Sequence, residues 1–175
     1  MHSFRSALNQ VFFEHWRSLR KGNGLPLLKD FLAYPHPQLQ PQIVIKDILP
    51  AKSIRVRLHG TRLVDLAGED LTGRDLLEYA DTPKMADELW GFQKTVADHP
   101  VGLSVLKNTV TSSDRRVTFE EVSLPAEPFP GGPPCVIGSV VLMEDIKETD
   151  VVSHLLAYSA PLWIDLGWGT PDQAG

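Results

Sequence analysis

Residues 60–78 read GTRLVDLAGEDLTGRDLLE. Their apolar positions fall in short helical groups broken at Gly68 and Gly73, where a backbone that needs positive φ prefers a residue without Cβ. The place of this stretch follows from its flanks. Upstream, residues 43–49 are rich in β-branched side chains, and residues 54–59 alternate Ile54, Val56 and Leu58 with Arg55, Arg57 and His59. That is the pattern of two strands of a hairpin, joined through Pro50, Ala51, Lys52 and Ser53. Downstream, Thr82 is a suitable N-cap and Pro83 a suitable first residue for a helix whose Met85, Leu89, Phe92 and Val96 share one face, ending at His99 and Pro100. Three strand-like runs follow, residues 101–111, 117–124 and 135–143. A polar turn at Ser112, Ser113, Asp114 and Arg115 separates the first two, and a Pro/Gly-rich loop over 125–134 precedes the third.

Further out, residues 3–21 place Phe4, Leu8, Val11, Phe12 and Leu19 at helical spacing, with Ser3 as N-cap. Gly22, Asn23, Gly24 and Pro26 end that helix, and an irregular stretch runs through Pro35, Pro37 and Pro41. The order is therefore helix, two strands, several helices, three strands, then a tail. In the tail, Leu162, Trp163, Ile164, Leu166 and Trp168 bring large apolar groups to the end of a polar chain, and something must cover them. Either the same subunit or a partner can do so.

The chain has 175 residues, 42% hydrophobic and 22% charged, which suits one core and one domain. A net charge of -5 gives no positive field, so nucleic acid is not an expected partner. The one cysteine, Cys135, excludes an internal disulfide and a multi-thiolate metal site, and its apolar setting reads as a buried small hydrophobe. The first twenty residues lack an apolar signal core and no stretch is long enough to span a bilayer, so a cytoplasmic protein with no membrane association is expected.

Catalytic signatures are missing around the candidates. Ser139 has no Gly-x-Ser-x-Gly elbow. The six histidines, His2, His15, His36, His59, His99 and His154, are scattered singly, which gives no metal motif. His99 is the one to consider as a haem ligand, but its place at a helix end is equally that of a cation favoured by the helix dipole. No cofactor is expected. Arg55, Arg57 and His59 fall on one face of their strand, either paired to acids such as Glu120 or Glu121 or open to an anion or partner. Val56 and Leu58 fall on the other face, where with Met85, Leu89 and Phe92 they form either ordinary core or a ligand shell.

The stretch with which this reading began carries a resemblance. Trp16, Leu19 and Arg20 in the first helix, then Arg57, Leu58, Gly60 and Thr61 at the end of the second strand, then Gly68, Glu69, Asp70, Leu71, Thr72 and Gly73, stand in the order found in small stand-alone bacterial PAS-domain proteins common in α-proteobacteria. His59 and Val56 depart from that pattern, which usually has a small apolar residue at the first position and often an aromatic at the second. The resemblance implies an α+β fold in which a five-stranded antiparallel sheet carries the short helices and the helix from Pro83 on one face and the N-terminal helix on the other. It divides the chain into a flanking helix (1–24), a PAS-like domain (25–148) and a C-terminal tail (149–175).

The function implied is a non-catalytic sensory and regulatory module that binds a partner protein and a small apolar ligand in signal transduction. Its rival is a small cavity enzyme with Asp47 or Asp65 as base and His59 as acid. PAS domains commonly pair through flanking helices, and here Val11, Phe13 and Trp16 widen the apolar stripe of Phe4, Leu8, Phe12 and Leu19 beyond what one sheet face would use. A symmetric homodimer through that stripe is expected, with Phe4, Leu8, Phe12, Phe13, Trp16, Arg57, His59 and Trp163 as interaction residues and Val56, Leu58, Met85, Leu89 and Phe92 as ligand-binding residues.

Overall fold

The computed structural model describes residues 3–171. The hairpin expected after Pro41 forms from β1 (Ile43–Leu49) and β2 (Ser53–His59), turning through Lys52 at φ +54°. Three more strands, β3 (Gly102–Thr111), β4 (Arg116–Ala126) and β5 (Cys135–Leu142), pair antiparallel so that β5 lies between β1 and β4. This is the five-stranded sheet that the resemblance implied. The tail extends it, for β6 (Val152–Tyr158) and β7 (Leu162–Ile164) both pair with β3 and give seven strands in the order β2-β1-β5-β4-β3-β6, with β7 on β3. Ile164 and Leu166 of the apolar tail are thus buried by their own subunit, whereas Leu162 and Trp168 stay exposed. β6 runs along residues 107–111 and β7 along residues 102–104, so the open edge of β3 is closed in two steps.

Two α-helices cover one face, called here the outer face. The first, α1 (Ala7–Ser18), starts later than its periodicity predicts, because Ser6 and not Ser3 accepts the capping hydrogen bond, from Asn9 N at 3.4 Å. The second, α2 (Leu28–Ala33), forms where irregular chain is expected and buries Leu28 and Phe31. Phe12, Phe13 and Trp16 pack on Ile43, Ile45, Val122, Leu124 and Ile137, and Phe4 and Leu8 join at the rim. Burying each large side chain stabilises by about 1.5–3 kcal/mol. Trp16 keeps its polar atom satisfied by donating from Nε1 to the Pro125 carbonyl at 2.8 Å.

The inner face is covered by α3 (Thr61–Ala67), the single turn Leu76–Tyr79 and α4 (Pro83–Asp98). The expected cap of α4 is present, Thr82 Oγ1 accepting from Met85 N. Gly73 stands at φ +84° and donates to the Val56 carbonyl, while Val56 N donates to the Arg74 carbonyl, so the crossover shields the other sheet edge as well. Among the described residues, no helix is long and apolar enough to cross a membrane.

Alternation along β2 does not run as the sequence predicts. Ile45 pairs with Leu58 and Lys46 with Val56, leaving Arg57 as the extra residue of a β-bulge. A one-residue insertion reverses facing. Val56 joins Val44, Leu63 and Leu71 on the inner face, whereas Leu58 packs with the outer core beside Ile45.

Candidate functional site

On β1, residues 43 and 45 belong to the outer core, so Val44 and Lys46 between them project inward. Lys107 on β3 and Glu121 on β4 project to the same side, and the three meet over the middle of the sheet. Both lysine Nζ atoms are ion-paired with the Glu121 carboxylate, Lys46 on Oε1 and Lys107 on Oε2. Lys46 must cross β5 to reach it. It does so over Gly138, where an added Cβ would lie 2.9 Å from Val44 Cγ1 and 3.4 Å from both Lys46 Cε and Glu121 Oε1. Ser123 Oγ donates to Glu121 Oε1 at 3.0 Å, and Gln93 Nε2 of α4 donates to Ser123 Oγ at 3.4 Å.

Lys46 and Glu121 are each only 1% exposed. Burial works against ionisation of Glu121, but Lys107 and then Lys46 outweigh it and hold the carboxyl well below the usual range. The two lysines fare differently. Burial lowers the Lys46 pKa by more than Glu121 restores, and Lys107 adds repulsion. For Lys107, burial is overcome by Glu121 and by Tyr158, and its pKa rises.

The triad floors a cavity of about 260 Å³ whose walls are Leu63, Leu66, Leu71, Leu89, Phe119 and Val140, with His59 and Tyr158 also lining it. His59 Nδ1 accepts from Leu71 N at 3.2 Å, which leaves its proton on Nε2. Burial lowers the His59 pKa against the pull of Asp70. Burial likewise raises that of Tyr158, so both are neutral near pH 7. An apolar chamber with a few convergent polar groups is the usual form of a small-molecule site. A larger hollow of about 480 Å³ lies at the rim of the outer face, among Phe31, Leu39, Ile45, Leu58, His36, His59 and the prolines 35, 37 and 41, and among the described residues no lysine, arginine or carboxylate lines it.

Of the expected ligand shell, Leu89 lines the inner cavity and Val56 stands in the wall behind it. Leu58 lies on the opposite face because of the bulge and lines the larger hollow. Met85 does not line the cavity, and Phe92 is turned to the tail, edge-on to Tyr158 and Trp163. Arg57, Arg55 and His59 do not share a face. Arg57 is ion-paired with Asp47 at 2.9 Å and lies over Phe129, and His59 points inward. Glu120 and Glu121, expected opposite the arginines, sit on β4, whose neighbours are β3 and β5.

The apolar stripe of α1 is used within the subunit, with Phe12 and Trp16 fully buried and Phe13 7% exposed. The width that pointed to a second subunit is taken up by the outer core, α2 and the tail. Trp163 packs on Phe92 from β7. The proposed acid/base groups do not converge, since Asp47 is on the outer face with Arg57 and Asp65 is exposed on α3. His99 caps α4 with Nε2 3.3 Å from the Gly169 carbonyl, and the Cys135 thiol is pushed up to about 11 by burial and then by Asp47. Ser139 Oγ is buried on β5 without a hydrogen-bond partner. Among the described residues, no group of three or more His, Cys, Asp or Glu side chains could hold a metal ion.

Lys46 and Lys107 were missed by sequence reasoning, and Glu121 was named only as a partner for the arginines of β2. The signal was a lysine inside the β-branched run IVIKDIL and a glutamate pair inside VTFEEVSL, since charges in strands buried on both faces need partners.

The family model described as PAS domain matches residues 4–141. No curated protein matches. Among solved structures, the PAS domain from Bordetella pertussis BvgS is 19% identical with a TM-score of 0.47, covering 66% of this chain and 88% of that one. A Rhodobacter sphaeroides LOV protein is 15% identical, TM-score 0.45, with 77% and 68% covered. A fungal LOV domain photoreceptor is 15% identical, TM-score 0.44, with 79% and 95% covered.

Proposed function

Since the chain belongs to the PAS domain family of sensory and signalling modules, we propose that it is a non-catalytic regulator that takes a small, largely apolar ligand into its inner cavity and signals by contact with a partner protein. The carrying observation is the apolar chamber over the Lys46, Glu121 and Lys107 triad. A buried ion cluster contributes little net stability compared with an apolar core of the same volume, so its retention on the floor of a chamber fits recognition better than folding. The scattered positions of Asp47, Asp65 and His59 weigh against acid/base catalysis.

Signal leaves through surfaces the subunit does not cover itself. Tyr34, Leu156, Leu162 and Trp168 are the exposed apolar groups that offer such contacts, to a signalling protein or a second copy of the chain, in the cytoplasm of a bacterial cell. Native mass spectrometry of the purified protein tests the reading. A retained small molecule, or a shift in melting temperature in a screen of small amphiphiles, supports it, and a protein that responds to none overturns it. Light scattering in the same preparation separates monomer from dimer.

A further inference from the structure

The inner cavity is short of one negative charge. Lys46 and Lys107 bring two ammonium groups to its floor, and of the described charged side chains that line it only Glu121 is acidic. An ammonium has three donors. Among the described residues Lys46 Nζ has one protein acceptor, Glu121 Oε1, although it is almost entirely buried and lines the chamber. A buried charge without full compensation costs several kcal/mol, so an acceptor entering beside Lys46 gains what the protein leaves unsatisfied. Burial already disfavours the Lys46 charge despite Glu121, in keeping with a group that lacks a second partner. His59 and Tyr158 add no charge near neutral pH.

We propose that the cavity is a site for a monocarboxylate with an apolar body, whose carboxylate docks on Lys46 beside the Glu121 pair while its hydrocarbon part lies among Leu63, Leu66, Leu71, Phe119 and Val140. The inference rests on the ligand-sensing reading above and names its ligand class. One net positive charge selects a monoanion over a dianion. The cavity volume of about 260 Å³ admits roughly nine non-hydrogen atoms at the liquid volume of a water molecule each. Octanoate is close to that size, and 1-octanol is its uncharged counterpart.

Titration of the full-length protein with octanoate and with 1-octanol, read by calorimetry and by methyl NMR shifts, tests the proposal. Octanoate is expected to bind at least ten-fold more tightly than octanol, shifting Leu63, Leu66 and Val140 while leaving Leu58 and Leu32 of the outer hollow unmoved. Lys46→Met should remove the ten-fold preference by weakening octanoate more than octanol, and should itself fold, because Glu121 keeps Lys107. Equal affinity of the two compounds overturns the monocarboxylate assignment and leaves the sensory reading standing. Octanoate binding that Lys46→Met does not weaken, or shifts confined to Leu58 and Leu32, also overturns it. If neither compound binds, the monocarboxylate assignment falls, while the sensory reading stands or falls on the native mass spectrometry and amphiphile screen above. Should Lys46→Met fail to fold, the wild-type affinity ratio and the shift pattern still decide.

Discussion

Glu120 and Glu121 are neighbours on β4, equally buried, and face opposite sides of the sheet. Glu120 turns to the outer face and binds the start of α1, its carboxylate accepting from Arg5 N and Ser6 N at 2.8 Å and from Asn9 Nδ2 at 3.1 Å. It answers donors that a helix N-terminus leaves unpaired, and the aromatic layer of Phe12, Phe13 and Trp16 then seals that face. Glu121 turns to the inner face and answers two lysine side chains at the floor of a chamber. The same residue type serves helix attachment on one side and holds a charged floor on the other. A packed face can use a buried carboxylate as a structural joint. A hollow face with the same group keeps polarity available to something from outside.

The comparison breaks most directly at the two glutamates. Glu121→Ala strands the buried Lys46 ammonium and the partly buried Lys107 ammonium and is expected to cost about 3–5 kcal/mol in chemical denaturation. Glu120→Ala strands neutral N–H donors and should cost less, about 1–3 kcal/mol. Equal losses would show that the two faces do not differ as described. Gly138→Val places a side chain against Val44 and between Lys46 and Glu121, and overpacking there should cost about 1–3 kcal/mol in the same assay.

Acid sharpens the contrast. The folded pKa of Glu121 is depressed, so its ionised form contributes stability that is complete above the unfolded carboxyl value near 4.3 and is lost as pH falls below it toward the lower folded value. Between those limits the loss reaches up to about 1.4 kcal/mol per pH unit for this one group, and Glu121→Gln should flatten the stability curve there. A variant curve that parallels the wild type would place the acid sensitivity elsewhere. The smallest effect belongs to the surface. Lys52 and Asp87 form an ion pair in which both side chains are more than half exposed, and Lys52→Ala should change the melting free energy by no more than about 0.5 kcal/mol.

How much of this was legible in the sequence depends on what each feature rests upon. The strands, the turn at residues 112–115 and the cap of α4 follow from local period and chemistry, and they stand where the pattern puts them. The bulge at Arg57 does not, because an extra residue in one strand is defined only against its partner, and nothing in SIRVRLH marks it. That single insertion sent Leu58 outward and His59 inward, which undid the grouping of Val56 with Leu58 and of Arg57 with His59. The helix α2 is six residues between two prolines, too short for periodicity to declare itself. The triad needed β1, β4 and β3 brought into one sheet, and the order that does so places β5 between β1 and β4, a pairing of segments distant in the chain. The tail announced that it had to be covered, and strand pairing with β3 decided by what.

Arg20 ties that tail to the first helix. Its guanidinium lies between Trp16 and Trp168, 5.5 and 5.1 Å from the two rings, and donates to the carbonyls of Asn23, Gly24 and Leu166. This has a consequence for synthesis. During translation Ile43 waits for Ser139 before β1 gains its second neighbour, and the edge of β3 stays unpaired until residues 152–164 have followed. Trp168 is later still. The nascent chain therefore carries an open β3 edge until residues 152–164 have emerged, and a half-clasped arginine from Arg20 until Trp168 follows.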